Sequence, residues 1–212
     1  MLKINEIFFS IQGESSKAGL PCVFVRLTYC NLRCSYCDTE YAFSQGIDKA
    51  IPEIIDEIKK YKCNLVEITG GEPLFQKECY DLMTALCDEG FEVMLETGGS
   101  LPIGNVDKRV MIIMDLKCPS SKMMGKNIFE NIEHIKAADE IKFVIGSRED
   151  YEWSKKTIDK YNLTNKCGIL LSVVLGKLEP VDLVNWILED KLKVRYQLQM
   201  HKIIWHPETK GV

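Results

Sequence analysis

Short apolar segments alternate with helix-type patterns along almost the whole chain, and this alternation limits the possible folds more than any other feature of the sequence. Alternating strand and helix signals predict βαβ units, in which helices cover a sheet of parallel strands. The predicted strands are Leu2–Phe9, Cys22–Thr28, Leu65–Thr69, Phe91–Thr97, Val110–Leu116, Glu140–Ile145, Gly168–Val174 and Val194–Met200. The predicted helices are Ile51–Tyr61, Gln76–Glu89, Ile128–Ala137, Arg148–Tyr161 and Pro180–Leu188.

One connection does not fit a regular strand–helix repeat. The segment Gly98–Arg109 contains glycines and a proline, which disfavour a crossover helix. We therefore expect an α/β fold with an abbreviated, partial TIM-like barrel of parallel strands and a reduced number of helices. With 212 residues, the chain is expected to form a single domain over residues 1–212.

Side-chain alternation within these strands places polar residues on one face. In the second strand, Val23, Val25 and Leu27 share one face and Arg26 lies on the other. If the apolar faces lie under helices, a polar cavity forms inside, open at the carboxyl ends of the strands. The alternative is that some of these residues form ion pairs at the rim. The inward-facing residues would be Arg26, Glu67, Thr69, Asp115, Lys117 and Lys142.

Three cysteines, Cys30, Cys34 and Cys37, lie close together directly after the second predicted strand. Closely spaced thiolates in one loop suit an iron–sulfur cluster, and three of them leave one iron open to a further ligand. The main alternative is structural zinc, which needs four ligands. Cys22 could be the fourth, but it is predicted at the far end of its strand. A ferredoxin-type cluster would also need a fourth cysteine.

Charge and cysteine content restrict the location and the partners. The odd count of 9 cysteines, without a signal-peptide pattern, argues against a disulfide framework. The longest apolar stretch, Ile169 to Leu175, is too short to span a bilayer. We therefore expect a cytoplasmic protein with reduced thiols and no membrane association. The formal net charge of −4 gives no general attraction to nucleic acid, so the expected partner is a small molecule or another protein.

The cysteine loop, with Tyr36 before its last cysteine, resembles the signature of radical S-adenosylmethionine (SAM) enzymes. Thr69-Gly70-Gly71-Glu72-Pro73, at the end of the next strand, is similar to the Gly-Gly-Glu-Pro motif of that superfamily. The resemblance implies a radical SAM barrel that holds a [4Fe–4S] cluster, with SAM bound to the open iron. One electron would then cleave SAM to a 5′-deoxyadenosyl radical. Glu72 would accept a hydrogen bond from the amino group of SAM.

A narrower resemblance extends along the whole chain. The segments that carry it are Ile11-Gln12-Gly13-Glu14, Cys37-Asp38-Thr39, Glu96-Thr97-Gly98-Gly99, Cys118-Pro119-Ser120-Ser121-Lys122, the stretch from Gln197 to Trp205, and Gly211-Val212. Together they resemble the 7-carboxy-7-deazaguanine synthase family of queuosine biosynthesis. That family converts 6-carboxy-5,6,7,8-tetrahydropterin to 7-carboxy-7-deazaguanine with loss of ammonia, assisted by Mg²⁺.

This resemblance implies roles for particular residues. Thr39 would bind Mg²⁺, and Arg26 would pair with the pterin carboxylate because a guanidinium suits that group. Asp115-Leu116 stands where some members carry Ser-Pro, so Lys117 is the firmer cofactor contact of that segment. The implied SAM-binding residues are Tyr36, Cys37, Asp38, Gly71, Glu72, Asp115, Leu116, Lys117 and Lys142. The implied substrate-binding residues are Ile11, Gln12, Gly13, Glu14, Arg26, Thr69 and Val212.

Two other functions share part of these features. A small activating enzyme of the same superfamily would share the cysteine and Gly-Gly-Glu-Pro motifs, and would act on a partner protein. A non-catalytic iron–sulfur or zinc module would need only the cysteines. The resemblance also implies a homodimer and an electron donor such as flavodoxin or ferredoxin. His134, His201 and His206 show no spacing typical of a metal site or a catalytic triad.

Overall fold

A computed structural model describes residues 1–206 and 209–212. Within these residues, nine strands form one sheet in the order β3-β1-β2-β4-β5-β6-β7-β8-β9. All neighbours from β2 to β9 pair in parallel, whereas β1 is antiparallel to both β2 and β3. The predicted α/β architecture with an unclosed, barrel-like parallel sheet is confirmed. The strands are β1 (Leu2–Ile11), β2 (Pro21–Leu27), β3 (Ile47–Lys49), β4 (Leu65–Gly70), β5 (Glu92–Thr97), β6 (Met111–Asp115), β7 (Glu140–Ile145), β8 (Gly168–Val173) and β9 (Arg195–Tyr196).

Four of the five predicted helices form close to their expected positions. The segment predicted as helix Ile128–Ala137 is instead a 3₁₀ helix over Phe129–His134. Its buried Asn131 holds the connection after β5 through hydrogen bonds with the backbone of Leu101 and Ile103, and these tertiary bonds replace a regular helix. No helix of the described residues is long and apolar enough to cross a membrane. The α-helices are α1 (Ile51–Lys59), α2 (Cys79–Asp88), α3 (Arg148–Lys160), α4 (Pro180–Glu189) and α5 (His201–Ile204).

The outer face of the sheet forms the main hydrophobic core under the helices. Val25 and Ile68, on the neighbouring strands β2 and β4, are fully buried there, as are Ile54 and Ile58 of α1. Burial of one such side chain contributes about 1.5–3 kcal/mol. The face predicted to lie under helices is therefore the face that the helices cover.

The inner face of the sheet is divided along the strands. Its lower part, near the amino ends of the parallel strands, is a small apolar cluster in which the Phe24 ring stacks on Phe8 at 4.9 Å. Its upper part is polar. Because the lower cluster fills the barrel, the remaining space opens at the carboxyl ends of the strands, as the sequence predicts. The buried members of the lower cluster are Cys22, Phe24, Leu65, Met94 and Ile113.

The open side of the sheet is bridged by the loop between β1 and β2. The Ser16 amide donates to Glu140 at 3.0 Å, and the Ser15 amide donates to the side chain of Gln197 at 2.9 Å. The segment predicted as strand Val194–Met200 pairs in the sheet only at Arg195–Tyr196. Beyond this point the chain turns toward the β1–β2 loop, where the Met200 amide donates to the carbonyl of Gly13.

Candidate active site

The carboxyl ends of the strands surround a cavity of about 720 Å³. Two groups of side chains face it from different parts of the chain. We call the loop 30–37 with its three cysteines the thiol wall, and we call Glu14, Glu67, Glu96 and Lys142 the charged wall. The predicted site residues that line the cavity are Ile11, Gln12, Gly13, Glu14, Arg26, Cys30, Cys34, Tyr36, Cys37, Asp38, Thr39, Thr69, Gly71, Asp115, Lys117, Lys142 and Val212.

Two predicted cofactor contacts, Glu72 and Leu116, do not line the cavity. The Glu72 carboxylate is fully buried and accepts hydrogen bonds from the Thr97 hydroxyl and the Gly98 amide, both at 2.8 Å. The Leu116 side chain belongs to the hydrophobic core. The positions of these two side chains therefore do not support a direct contact with SAM. Glu72 instead ties the turn after β4 to the end of β5.

Hydrogen bonds within the loop contribute to the shape of the thiol wall. The Leu32 amide lies 3.3 Å from Cys30 Sγ, and the Cys37 amide donates to the carbonyl of Cys34 at 3.2 Å. Gly71 packs directly against the start of this loop. A Cβ there would lie 2.2 Å from the carbonyl oxygen of Tyr29, so only glycine allows the two backbones to approach so closely.

The three thiols fit an iron–sulfur cluster better than zinc. Among the described residues, no three His, Cys, Asp or Glu side chains converge on one point as ligands of a single ion. The potential fourth zinc ligand, Cys22, is buried in the lower cluster. Zinc would need four ligands around one ion, whereas each thiolate of a cluster binds its own iron. Burial raises the pKa of Cys34 to about 11, and the nearby Lys117 ammonium opposes this shift by favouring the thiolate.

The charged wall is organised around one buried lysine. Lys142 Nζ lies 2.7 Å from Glu14, is also bonded to Glu96, and is 4.0 Å from Asp115. Burial alone would lower the pKa of Lys142, but these carboxylates raise it well above its ordinary range. Lys142 therefore remains charged and holds residues of four different segments together.

The pKa values of the partly buried Glu14 and the buried Glu67 are shifted in opposite directions. Burial opposes the ionisation of Glu14, but Lys142 and the amide of Gln199 lower its pKa below the ordinary value. Glu67 accepts a hydrogen bond from Gln12. Burial raises the pKa of Glu67 well above the ordinary value, and the Glu96 carboxylate adds to this. The charged wall thus combines an ionised carboxylate with one that favours its neutral acid form.

Asp115 lies at the cavity wall and carries one oxygen without a partner among the described residues. Its Oδ2 atom pairs with Lys117 Nζ at 2.7 Å, whereas its buried Oδ1 atom has no hydrogen-bond partner within the described residues. A buried acceptor without a partner is costly. Asp115 and Lys117 both line the cavity, so the polar pair that they form is placed beside a bound ligand.

The predicted carboxylate-binding residue, Arg26, is oriented by a neighbouring strand. Arg26 Nε donates to Glu6 at 2.7 Å, and the same Glu6 oxygen accepts a hydrogen bond from the Tyr41 hydroxyl at 2.9 Å. The guanidinium lies at the cavity wall, and the hydrogen bond from its Nε to Glu6 fixes the orientation of its plane. Such a fixed fork suits a planar carboxylate.

The two walls meet at Asp38 and Thr39. The Thr39 hydroxyl donates to Asp38 Oδ1 at 2.9 Å, and Lys202 pairs with Asp38 Oδ2 at 2.7 Å. Asp38 is about half exposed, and the Lys202 ammonium lowers the pKa of its carboxyl far below the ordinary value. The last residues also lie here, since Lys210 stacks over the Tyr41 ring at 4.4 Å. These contacts bring the end of the chain over the cavity.

Sequence reasoning missed several cavity residues. Glu96 and Gln199 lie in segments that carry the family resemblance, but they received no role there. His201 also lines the cavity, and burial lowers the pKa of its imidazole below the ordinary value. Alternation along β5 predicts that Glu96 lies inside the barrel beside Glu67. Glu96 could therefore have been identified from the sequence. Gln199 and His201 follow the short strand β9, and no periodic pattern indicates their direction.

Comparisons with known proteins agree with this site. A family model described as the radical SAM superfamily matches residues 25–179. Over its full length the chain is 47% identical to a 7-carboxy-7-deazaguanine synthase of Chlorobaculum tepidum, of which the match covers 97%. It is 46% identical to a 7-carboxy-7-deazaguanine synthase of Koribacter versatilis, of which the match covers 100%. The fold is similar to the crystal structure of QueE from Escherichia coli, with a TM-score of 0.76, 20% identity, and coverage of 92% of this chain and 93% of that chain.

Proposed function

Because the chain belongs to the radical SAM superfamily and, within it, to the 7-carboxy-7-deazaguanine synthase family, we propose that it converts 6-carboxy-5,6,7,8-tetrahydropterin to 7-carboxy-7-deazaguanine with loss of ammonia. This reaction makes the protein a carbon–nitrogen lyase. The observation that carries the proposal is one cavity lined both by three loop cysteines and by a charged wall. The first group suits a redox cofactor, and the second suits a small, highly polar substrate.

Radical SAM membership brings a [4Fe–4S] cluster and SAM, and when bound these supply a radical that abstracts a hydrogen atom. Cys30, Cys34 and Cys37 would hold the cluster. The position of Asp115 and Lys117 at the cavity wall, where their side chains pair at 2.7 Å, supports their proposed contacts with SAM. Lys142 is already surrounded by carboxylates, so we propose that it orients Asp115 and Glu14 and does not itself bind SAM. The other proposed SAM contacts are Tyr36, Cys37, Asp38 and Gly71.

The charged wall and Arg26 would bind the pterin. The Arg26 guanidinium, fixed by Glu6, would pair with the carboxylate of the substrate. The donor edge of the pterin ring needs acceptors, and Glu14 supplies an ionised carboxylate held in place by Gln199 at 2.8 Å. The remaining proposed contacts are Ile11, Gln12, Gly13, Thr69 and Val212, all of which line the cavity.

Thr39 would bind Mg²⁺ together with the substrate. Mg²⁺ prefers hard oxygen ligands and usually takes only one or two from the protein, the rest being water and substrate. The Thr39 hydroxyl lines the cavity, and the Asp38 carboxylate beside it is shared with Lys202. The oxygen donor at the cavity wall is the feature that supports a cation at this position.

A one-electron donor would approach the outer side of the thiol wall. Arg33 of that loop is exposed, and so are Lys122 and Lys126 on the segment that packs against it. Positive charge there would attract an acidic carrier such as flavodoxin or ferredoxin. We also propose a cytoplasmic location and a homodimer, by analogy with the family.

The decisive test is product formation. Reduced, anaerobically reconstituted protein with SAM, Mg²⁺ and 6-carboxy-5,6,7,8-tetrahydropterin should yield 7-carboxy-7-deazaguanine and ammonia in equal amounts. An Arg26→Met protein is the matched control and should form far less product with its iron content unchanged. Formation of 5′-deoxyadenosine without the deazaguanine would disprove the synthase activity and would favour an activating enzyme. A colourless protein with one zinc per chain would exclude radical chemistry.

The end of the chain offers a second test of the substrate site. Removal of Gly211 and Val212 should raise the KM for the pterin, because both residues line the cavity. The affinity of the protein for SAM should change little. An unchanged KM would remove Val212 from the proposed substrate site.

A further inference from the structure

The segment Cys118–Lys122 supports the family resemblance, but none of its residues has a role in the site described above. In the structure it packs against the outer side of the thiol wall. The Ser35 hydroxyl donates to the carbonyl of Ser120 at 2.7 Å, and the Ser35 amide donates to the carbonyl of Ser121 at 3.0 Å. Ser35 lies between Cys34 and Tyr36. The segment therefore contacts the cysteine loop directly beside one of the three thiols.

This segment is in turn held by a single buried carboxylate. Asp150, in the first turn of α3, is completely buried. Its Oδ1 atom accepts a hydrogen bond from the Ser120 amide at 2.8 Å, and its Oδ2 atom accepts bonds from the Ser120 hydroxyl and from the Gly146 amide. Asp150 thus joins the end of β7 and the start of α3 to the segment that supports Ser35.

The space around this contact is limited. A Cβ on Gly146 would lie 2.9 Å from the Ser120 hydroxyl oxygen and 3.3 Å from Asp150 Oδ2. Real side chains essentially never approach so closely without a shift of their neighbours, so the contact needs glycine here. Close packing and the two hydrogen bonds to Asp150 together hold Ser120 in one position.

We propose that Asp150 is a positioning residue for the cluster, which acts through Ser120 and Ser121 to fix the orientation of the cysteine loop. This inference rests on the proposed function only in assuming that loop 30–37 holds the cluster. Cys30 is anchored through the contact of Gly71 with its neighbour Tyr29, whereas the loop near Cys34 is anchored from Asp150. The direction in which the open iron faces SAM would depend on both anchors.

A carboxylate is specifically required because all three of its partners are donors. An Asn at this position has one acceptor oxygen, and its amide group would point a donor at the Ser120 or Gly146 amide. In either orientation of the Asn amide, one backbone donor loses its acceptor, so the Asp150→Asn change should loosen the link between Gly146 and Ser120 without changing the volume of the side chain. It also leaves the cysteines themselves intact.

The first measurement uses the cluster-free, reduced protein and amide hydrogen exchange. In the Asp150→Asn protein, the Ser35 amide should exchange roughly tenfold faster than in the wild type. Asp190→Asn is the matched control, because Asp190 bonds Tyr151 and Lys155 on another side of α3. That variant should leave Ser35 exchange unchanged. If the Ser35 amide of the Asp150→Asn protein exchanges at the same rate as that of the wild type, the proposal is wrong.

The second measurement uses the reconstituted protein. The Asp150→Asn protein should retain its iron, since three thiols remain, but the change that SAM produces in the electron paramagnetic resonance spectrum should need roughly tenfold more SAM. Faster exchange at Ser35 with a normal SAM response would show that the contact does not position the cluster. If Asp150→Asn does not fold, Ser120→Ala removes one bond and should give smaller shifts in the same direction. Failure of the wild type to bind iron would contradict the proposed function but would not affect the exchange result.

Discussion

The thiol wall and the charged wall face the same cavity but are built in different ways. The three thiols come from eight consecutive residues, and hydrogen bonds within this loop and to the segment Cys118–Lys122 shape it. In the charged wall, Glu14 and Lys142 are 128 positions apart in the chain and meet only because the β1–β2 loop crosses the open side of the sheet. The thiol wall is therefore a local structure that the fold positions, whereas the charged wall exists only when the whole barrel has formed. Substitutions in the thiol wall should affect cofactor binding with little effect on folding. Substitutions in the charged wall should affect the stability of the protein.

The largest expected effect comes from removing one thiol. Cys34→Ala should abolish stable cluster binding and lower activity by at least about a thousandfold, because the cofactor supplies the chemistry. Iron and sulfide analysis after anaerobic reconstitution measures the binding directly. Cys167→Ala, at a half-buried cysteine outside the cavity, should keep its iron. An equal loss of iron in both proteins would contradict the assignment of the thiol wall.

The next effect is on stability and concerns the charged wall. Lys142→Met leaves Glu14 and Glu96 without their buried partner and should lower the free energy of unfolding by about 3–5 kcal/mol. Urea unfolding of the cluster-free protein measures this change. Lys177→Met is the control, since Lys177 lines the same cavity but its side chain forms no ion pair with a described residue and contacts the Tyr36 ring at 5.7 Å, a contact worth about 1 kcal/mol or less. Equal destabilisation by the two changes would refute the organising role of Lys142.

A smaller effect is expected where the walls meet. Thr39→Val removes the hydroxyl but preserves the shape, and should raise the Mg²⁺ concentration needed for half-maximal activity by roughly tenfold. Thr39→Ser retains the oxygen and should behave much like the wild type. Titration of activity with Mg²⁺ distinguishes these results. If Thr39→Val needs no more Mg²⁺ than the wild type, then Thr39 is not a ligand.

The smallest effect concerns the pH dependence of stability. Since the folded-state pKa of Glu67 is raised, its contribution to stability is fully present below its ordinary pKa of 4.5 and is lost as the pH rises toward the raised value. Glu14, Glu96 and Lys142 are the charged groups that face it. At high pH, the ionised form of the buried Glu67 lowers the stability of the fold. Glu67→Gln removes this cost and should raise the free energy of unfolding by about 1 kcal/mol at pH 8, with little gain near pH 4.

Urea unfolding at the two pH values provides the measurement for Glu67. Glu130→Gln, at an exposed carboxylate, is the control and should leave the pH dependence of the wild type unchanged. A Glu67→Gln protein that gains equally at both pH values would show that the neutral acid is not the favoured form of Glu67.

The parts of the fold that could be read from the sequence are those with a strong local signal. Alternation along β2 and β4 correctly placed Arg26, Glu67 and Thr69 on the inner face, because successive side chains of a strand point to opposite sides. The contact of Glu72 with SAM stays a prediction. The position of Glu72 next to two glycines indicated closeness to a ligand, but the Thr97 hydroxyl and the Gly98 amide already occupy its carboxylate.

The sequence by itself therefore determined the parallel α/β scaffold and the loop that carries Cys30, Cys34 and Cys37, since both depend on residues that are close together in the chain. Only the tertiary structure decided that Lys142 lies between Glu14 and Glu96, and that Asp150 supports the cysteine loop through Ser120. These contacts join segments that are far apart in the chain, and no periodic pattern encodes which buried charge meets which. The physical reason is that a buried charge needs a partner, and the partner is chosen by how the folded chain packs.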